Sequence, residues 1–164
     1  MSNSLTTRML VGFPGRITRE DSKTVEAVMV DSGTPPTAYG TFAKFVAGLL
    51  QPVASGDAGT VPVGLLASPF PIQSSTNTMG AATPPAAGVV DLMKRGYMAV
   101  ALKLGTAVRG SQVYVVTTAG GSVAVGDIVT SASPAGGGTG VAVTNCVFMG
   151  PADANGVTEI AYNI

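Results

Sequence analysis

The 164-residue chain lacks the side chains that most often perform chemistry. It has no histidine, no tryptophan and a single cysteine, so the commonest general base, the commonest metal ligand and any intrachain disulfide framework are missing. Nine basic and nine acidic residues give a net charge of zero, and charged residues are only 11% of the chain. A weakly charged surface associates readily with other proteins. These absences favour a binding or structural role over catalysis, and we expect no cofactor and no metal.

Long apolar runs and dense basic clusters are also missing. No stretch approaches the roughly 18 apolar residues that span a bilayer, and residues 9–13 are too short for the apolar core of a signal peptide. Tight binding to nucleic acid needs a concentrated basic face with stacking aromatic residues, and neither is visible. The sequence therefore predicts neither a membrane nor a nucleic-acid partner.

The remaining candidates for catalysis each have a simpler interpretation. A Ser–His–Asp triad cannot form without histidine. In a Ser–Lys dyad, Lys44 or Lys103 would have to be desolvated to act as the base, and the residue pattern places Lys103 on an exposed strand. Glu20 and Asp21 are typical of an acidic turn, and Cys146 of a small buried apolar residue. The glycines of residues 136–140 lead into a strand, which indicates a turn and not a phosphate-binding loop.

The residues that are abundant predict an all-β fold. The 22 glycines and 11 prolines indicate many short connections, and alternating apolar segments predict strands. Residues 42–49 have helical spacing, but the segment is short and ends near a proline, so we favour a strand with a short helix as the alternative. The other predicted strands span 23–30, 61–67, 96–104, 112–117, 122–130, 141–149 and 157–163. This rhythm is typical of a jelly roll, a small barrel or a sandwich. Within the strand at 61–67, Gly64 suggests either a bulge or a tight crossing against a neighbouring strand.

Two segments without periodicity are the predicted contact regions. Residues 1–19 are interpreted as an extended N-terminal arm, and residues 20–164 as a single β domain with a proline-rich loop at 68–88. The arm carries apolar anchors and arginines that would bind carboxylates of another chain, and the loop carries large apolar residues without periodic partners. The candidate contact residues are Arg8, Leu10, Phe13, Arg16, Ile17, Arg19, Phe70, Ile72 and Met79.

The order of these pieces resembles the cement or decoration proteins of tailed-phage capsids. The resemblance is carried by Gly12-Phe13-Pro14-Gly15, Tyr39-Gly40, Val63-Gly64-Leu65-Leu66, Gly96-Tyr97, the segment 109–115, Phe148-Met149-Gly150 and the segment 153–161. It spans nearly the full length. It implies a small jelly-roll or β-barrel domain that forms homo-oligomers and bridges neighbouring subunits of the major capsid protein. The long loop at 68–88 departs from the minimal pattern.

The resulting hypothesis is a non-enzymatic virion protein on the outer surface of the capsid. Its expected partners are the major capsid protein and further copies of itself, as a homodimer or a homotrimer. Contacts are expected from the arm, the loop and exposed strand edges. The alternative is a virion module that binds host glycans, which the lack of tryptophan and the presence of only four tyrosines disfavour.

Overall fold

The computed structural model describes residues 12–69 and 83–164. These residues form a one-turn 3₁₀ helix, Glu20–Ser22, and nine strands, so the predicted all-β class is confirmed. The strands are β1 (Thr24–Val30), β2 (Phe42–Val46), β3 (Leu49–Pro52), β4 (Gly64–Leu66), β5 (Gly88–Leu104), β6 (Gln112–Thr118), β7 (Ile128–Val129), β8 (Thr139–Phe148) and β9 (Val157–Tyr162). Within the same ranges, no helix has the length and apolar character to cross a bilayer.

The strand pairings form two rings that share β5. The first ring runs β1, β3, β2, β4, β5 and back to β1, and the second runs β5, β7, β6, β8, β9 and back to β5. At 17 residues, β5 is long enough to belong to both. Each described strand therefore has at least two partners, and ring closure removes most of the open edges that a flat sheet would leave.

Each edge of β5 is occupied by several elements in turn. One edge pairs with β1 over the first half of β5 and with β9 over the second half. The other edge pairs with β4, then forms a single bridge between Ile17 and Met98, and then pairs with β7. Gly96, at φ +139°, marks the change from one ring to the next, a backbone conformation that L side chains rarely adopt. The arm therefore fills the gap between the two rings.

Two main apolar clusters stabilise the rings. The first-ring cluster contains Val28, Leu50, Leu66 and Leu92 with their neighbours, and a larger cluster fills the second ring and reaches the outer side of β4 through Leu65. All three residues of β4 are buried, which places this strand between the two clusters. A Cβ added at Gly64 would lie 2.6 Å from the carbonyl oxygen of Met93. The close crossing predicted for Gly64 is thus confirmed.

Several strand predictions hold and others need correction. Residues 42–49 are extended and not helical, so the short helix is wrong, but the single predicted strand is divided into the β2–β3 hairpin by a turn at Ala47 and Gly48, both at positive φ. The strand predicted at 61–67 contracts to β4, because Pro62 has no N–H for a ladder. The strand predicted at 122–130 contracts to β7, since the Asp127 carboxylate accepts the Ala124 N–H and turns the chain. The strand predicted from residue 96 begins at Gly88 instead.

The loop between β3 and β4 fastens the first ring to the second. The N–H of Gly56 donates to the Thr117 carbonyl at 3.0 Å, and the N–H of Thr144 donates to the Gly59 carbonyl at 3.3 Å. The hydroxyl of Tyr162 donates to the Pro62 carbonyl at 2.9 Å. These contacts join residues distant in sequence and hold the two rings as one body.

Candidate functional site

The described part of the N-terminal arm lies along the edge of β5. The N–H of Gly15 donates to the Ala99 carbonyl at 2.8 Å, and the N–H of Ala99 donates to the Arg16 carbonyl at 2.9 Å. The N–H of Thr18 donates to the Tyr97 carbonyl at 3.0 Å. Ile17 packs against the large apolar cluster. Residues 12–19 therefore pack as an additional strand-like segment of the domain.

An ion pair locks the end of this segment in place. The Arg19 Nη2 lies 2.9 Å from the Glu159 Oε2, and its Nε donates to Oε1 at 3.2 Å. The Thr18 hydroxyl donates to the same carboxylate at 2.6 Å, and the guanidinium carbon lies 4.0 Å from the Tyr97 ring centroid. The hydrogen bond to Glu159 raises the pKa of Arg19. A carboxylate of another chain is the predicted partner of Arg19, whereas the structure places Arg19 on a carboxylate of its own β9.

A cleft of about 430 Å³ opens beside the arm. Phe13, Arg16 and Ile17 line it from the arm, and Ser68 and Pro69 line it from the start of the proline-rich loop. Lys23, Val25 and Asp91 contribute the side formed by β1 and β5. Three regions distant in sequence therefore meet at one place on the surface.

The polar groups of the cleft are incompletely paired. The Ser68 hydroxyl oxygen is buried and makes no hydrogen bond within residues 12–69 and 83–164, which is costly for an isolated polar group. Lys23 forms an ion pair with Glu20. Over the same ranges, Arg16 and Asp91 form no ion pair. The cleft thus offers a cation and an anion to an incoming polar partner, above a buried hydroxyl.

Exposed apolar side chains are concentrated on the first ring. In the part of the chain that the structure describes, eight large apolar residues are exposed, and only Val108 and Ile164 lie away from this ring. The other six are Val25, Met29, Phe45, Val46, Leu49 and Val89. Met29 pairs across the β1–β5 ladder with Val89, and Val46 pairs with Leu49 at the tip of the β2–β3 hairpin. Because Val25, Met29 and Val89 project from the same side of the β1–β5 ladder, we call these three residues the apolar first-ring face. A concentration of exposed apolar residues on one ring is typical of a surface that other proteins cover.

The structure brings some of the predicted contact residues together and separates others. Phe13, Arg16 and Ile17 meet at the cleft, while Arg19 is engaged by Glu159. The other predicted residues lie outside the described ranges: Arg8, Leu10, Phe70, Ile72 and Met79. Val25 and Asp91, which also line the cleft, were not among the predicted contact residues. Apolar residues occupy both faces of β1, so the sequence pattern alone did not show which face is exposed.

The described residues offer no arrangement that suggests catalysis. Cys146 is buried, and this burial raises the pKa of its thiol, which opposes formation of the nucleophilic thiolate. Across residues 12–69 and 83–164, no three His, Cys, Asp or Glu side chains group closely enough to hold a metal ion. Lys103 lies exposed on β5, as predicted. Geometry therefore points to the surface of the first ring as the functional region.

The chain is similar to proteins of phage capsids in both sequence and fold. A family model described as "XM1 gp53 minor capsid protein" matches residues 1–162. A chain from the solved structure "The capsid of Myoviridae Phage XM1" has the same fold with a TM-score of 0.67 and 19% sequence identity, and the match covers 99% of this chain and 97% of that chain. No curated protein matches the sequence.

Proposed function

This chain belongs to the XM1 gp53 minor capsid protein family, and from that premise we propose that it strengthens a phage capsid by bridging adjacent subunits of the shell. The family and the shared fold support a structural role in the virion that does not depend on catalysis. The observation that carries the bridging proposal is the concentration of exposed apolar residues on the first ring, beside an incompletely paired cleft.

The two rings suggest an orientation on the shell. The apolar first-ring face and the cleft would lie against the capsid, and the second ring would point away from it. Stable protein contacts bury about 1,200–2,000 Å² in total, with an apolar centre and a polar rim. Val25, Met29 and Val89 provide such a centre, and Arg16 and Asp91 provide polar groups beside it.

Two ends of the described ranges, Gly12 and Pro69, lie in the same region. The chain before Gly12 and the chain after Pro69 both begin close to cleft residues. We therefore propose that Arg8, Leu10, Phe70, Ile72 and Met79 contact the capsid next to the first ring. An arm that orders on contact can cover a large surface at some cost in affinity.

We also propose that copies of the chain associate with one another. With few charges and no net charge, their surfaces repel one another only weakly. Mass measurement of the purified chain at micromolar concentration tests this proposal. A strict monomer would contradict it.

Binding of the purified chain to assembled, DNA-filled particles that lack it tests the main proposal. Wild-type protein should bind saturably, and binding to sealed particles would place the site on the outer surface. Arg16→Glu should weaken binding by at least about tenfold, because it reverses a charge in the cleft. Lys103→Glu is the matched control, since it reverses an exposed charge on the second-ring half of β5. Equal loss of binding in both variants, or no binding by the wild type, would refute the proposal.

A further inference from the structure

One edge of β1 is almost unpaired. Its first edge pairs with β5 along the whole strand. On the opposite edge, β1 meets β3 only at Val30 and Leu50. Residues 24–28 therefore have no strand partner on that edge among the residues that the structure describes.

The pairing pattern shows which backbone groups face this edge. Ala67 donates its N–H to the Asp91 carbonyl, so Asp91 faces β4. Because groups in an antiparallel ladder alternate in direction, Ala27, which is opposite Asp91, must point its N–H and C=O away from β5. The same alternation applies to Val25. Consistent with this direction, the N–H of Asp31 donates to the Leu50 carbonyl of β3.

The open edge of β1 is only partly protected by the part of the chain that the structure describes. Natural sheets guard open edges with proline, inward charges, bulges or covering loops. Two such devices are present: the β1–β5 register shifts between Thr24 and Val25, and Glu26, opposite the buried Leu92, is an inward charge paired with Lys94 at 3.2 Å. Beyond them, Val25 and Ala27 direct their backbone groups to the open edge, and both side chains are exposed and apolar. An exposed apolar strand with unpaired backbone groups is typical of a site that accepts another strand.

We propose that this edge, at residues 24–28 of β1, binds an extended segment of a shell-forming subunit as an added strand. The inference rests on the proposed function and names the mode of contact. The incoming segment would alternate, with apolar side chains placed beside Val25 and Ala27. An acidic residue would lie at the Thr24 end, where Arg95 is the ladder partner of Thr24 and Lys23 precedes it.

Charge favours another polypeptide as the occupant. Arg16 and Arg95 form no ion pair with any residue in the ranges 12–69 and 83–164. Residues 1–11 and 70–82 contain no aspartate or glutamate, so neither segment of this chain can neutralise these cations. If β1 paired antiparallel with β1 of a second copy about a two-fold axis at Ala27, Thr24 of the partner subunit would lie opposite Val30. That position is already occupied by Leu50 of β3. These features disfavour the chain's own segments and a second copy as occupants.

Hydrogen–deuterium exchange on the full-length chain, free and bound to particles, tests the proposal. In the free chain, the amides of Val25 and Ala27 should exchange rapidly, whereas those of Glu26 and Val28, which face β5, should be protected. On the particle, the Val25 and Ala27 amides should become protected by at least about tenfold. If the wild type binds but these amides stay unprotected, the inference fails while the proposed function stands.

Two variants at one position test the backbone contact directly. Ala27→Pro removes an N–H that points to the open edge, where proline is tolerated because no internal ladder bond is lost. Ala27→Thr keeps the N–H and has a high strand propensity. Ala27→Pro should weaken particle binding by at least about tenfold relative to Ala27→Thr, with both melting as one cooperative unit. Equal binding would overturn the proposal, and if Ala27→Pro does not fold, the exchange measurement decides.

The other possible occupants predict different exchange patterns. Protection of Val25 and Ala27 in the free chain that disappears when residues 2–11 are deleted would assign the edge to the chain's own arm. Protection that increases with protein concentration in the absence of particles would assign it to a second copy. Either result would overturn the proposal.

Discussion

The contact between Arg19 and Glu159 gives the sharpest test of how the arm is held. The perturbation is a double-mutant cycle of Arg19→Gln and Glu159→Gln, measured on the free chain. If the arm docks on its own domain, the two residues are energetically coupled even when no other chain is present. If Arg19 instead serves a second chain, the coupling is absent in the monomer.

The geometry sets the expected magnitude. The Arg19 side chain is 47% exposed, which brings the pair toward the 0.2–1 kcal/mol typical of surface ion pairs. The Glu159 side chain is only 12% exposed and accepts two guanidinium hydrogen bonds, and a hydrogen bond to a charged group contributes about 1.5–3 kcal/mol. We therefore expect a coupling of about 1–1.5 kcal/mol, between these limits. Arg19→Lys should recover less than half of it, since lysine cannot form the two-pronged contact.

Urea unfolding followed by far-ultraviolet circular dichroism is the suitable assay, because the chain has no tryptophan to report by fluorescence. All four proteins of the cycle should unfold cooperatively with similar dependence on urea. A coupling below about 0.3 kcal/mol would refute docking of the arm through Arg19 and Glu159. Arg19 would then again be a candidate for contact with another chain.

Two further predictions concern the loop that joins the rings. Gly59→Ala should destabilise the fold by about 2–3 kcal/mol in urea unfolding, because its Cβ would lie 1.8 Å from the Ala142 carbonyl oxygen; unchanged stability would contradict the close approach. Asp57→Asn should cost about 1–3 kcal/mol at pH 7. Burial raises the pKa of Asp57, but Lys44, 2.8 Å away, and the Ala54 N–H outweigh it and hold the pKa below its usual value. The difference in unfolding free energy between Asp57→Asn and wild type should therefore become smaller as the pH falls below about 4. A difference that stays constant with pH would contradict the lowered pKa of Asp57.

Local patterns were sufficient for the class of fold and for many strands. Alternating apolar residues with glycine turns predicted β1, β6, β8 and β9 close to their observed bounds, because the side-chain period of a strand is a local property. The tight crossing at Gly64 was also readable, since only a residue without a side chain lets two backbones approach so closely. The extent of β7 was not, because the turn at Ala124–Asp127 delays the start of the strand to Ile128, whereas the apolar pattern begins at residue 122.

The candidate surface depended on contacts that no local pattern encodes. The sequence singled out Phe13, Arg16 and Ile17 in the arm, yet it did not show that they meet Ser68 and Asp91 in one cleft. Arg19 illustrates the same limit, because its carboxylate partner lies 140 residues further along the chain.

Composition and short-range pattern were enough to assign an all-β chain that is poor in reactive side chains, because both are properties of short segments. Three other features were visible only in the folded chain: β5 joins two rings, most of one edge of β1 has no strand partner among the described residues, and the exposed apolar residues are concentrated on the first ring. Those features arise from which strands pair across long separations, and pairing is set by the whole packed chain.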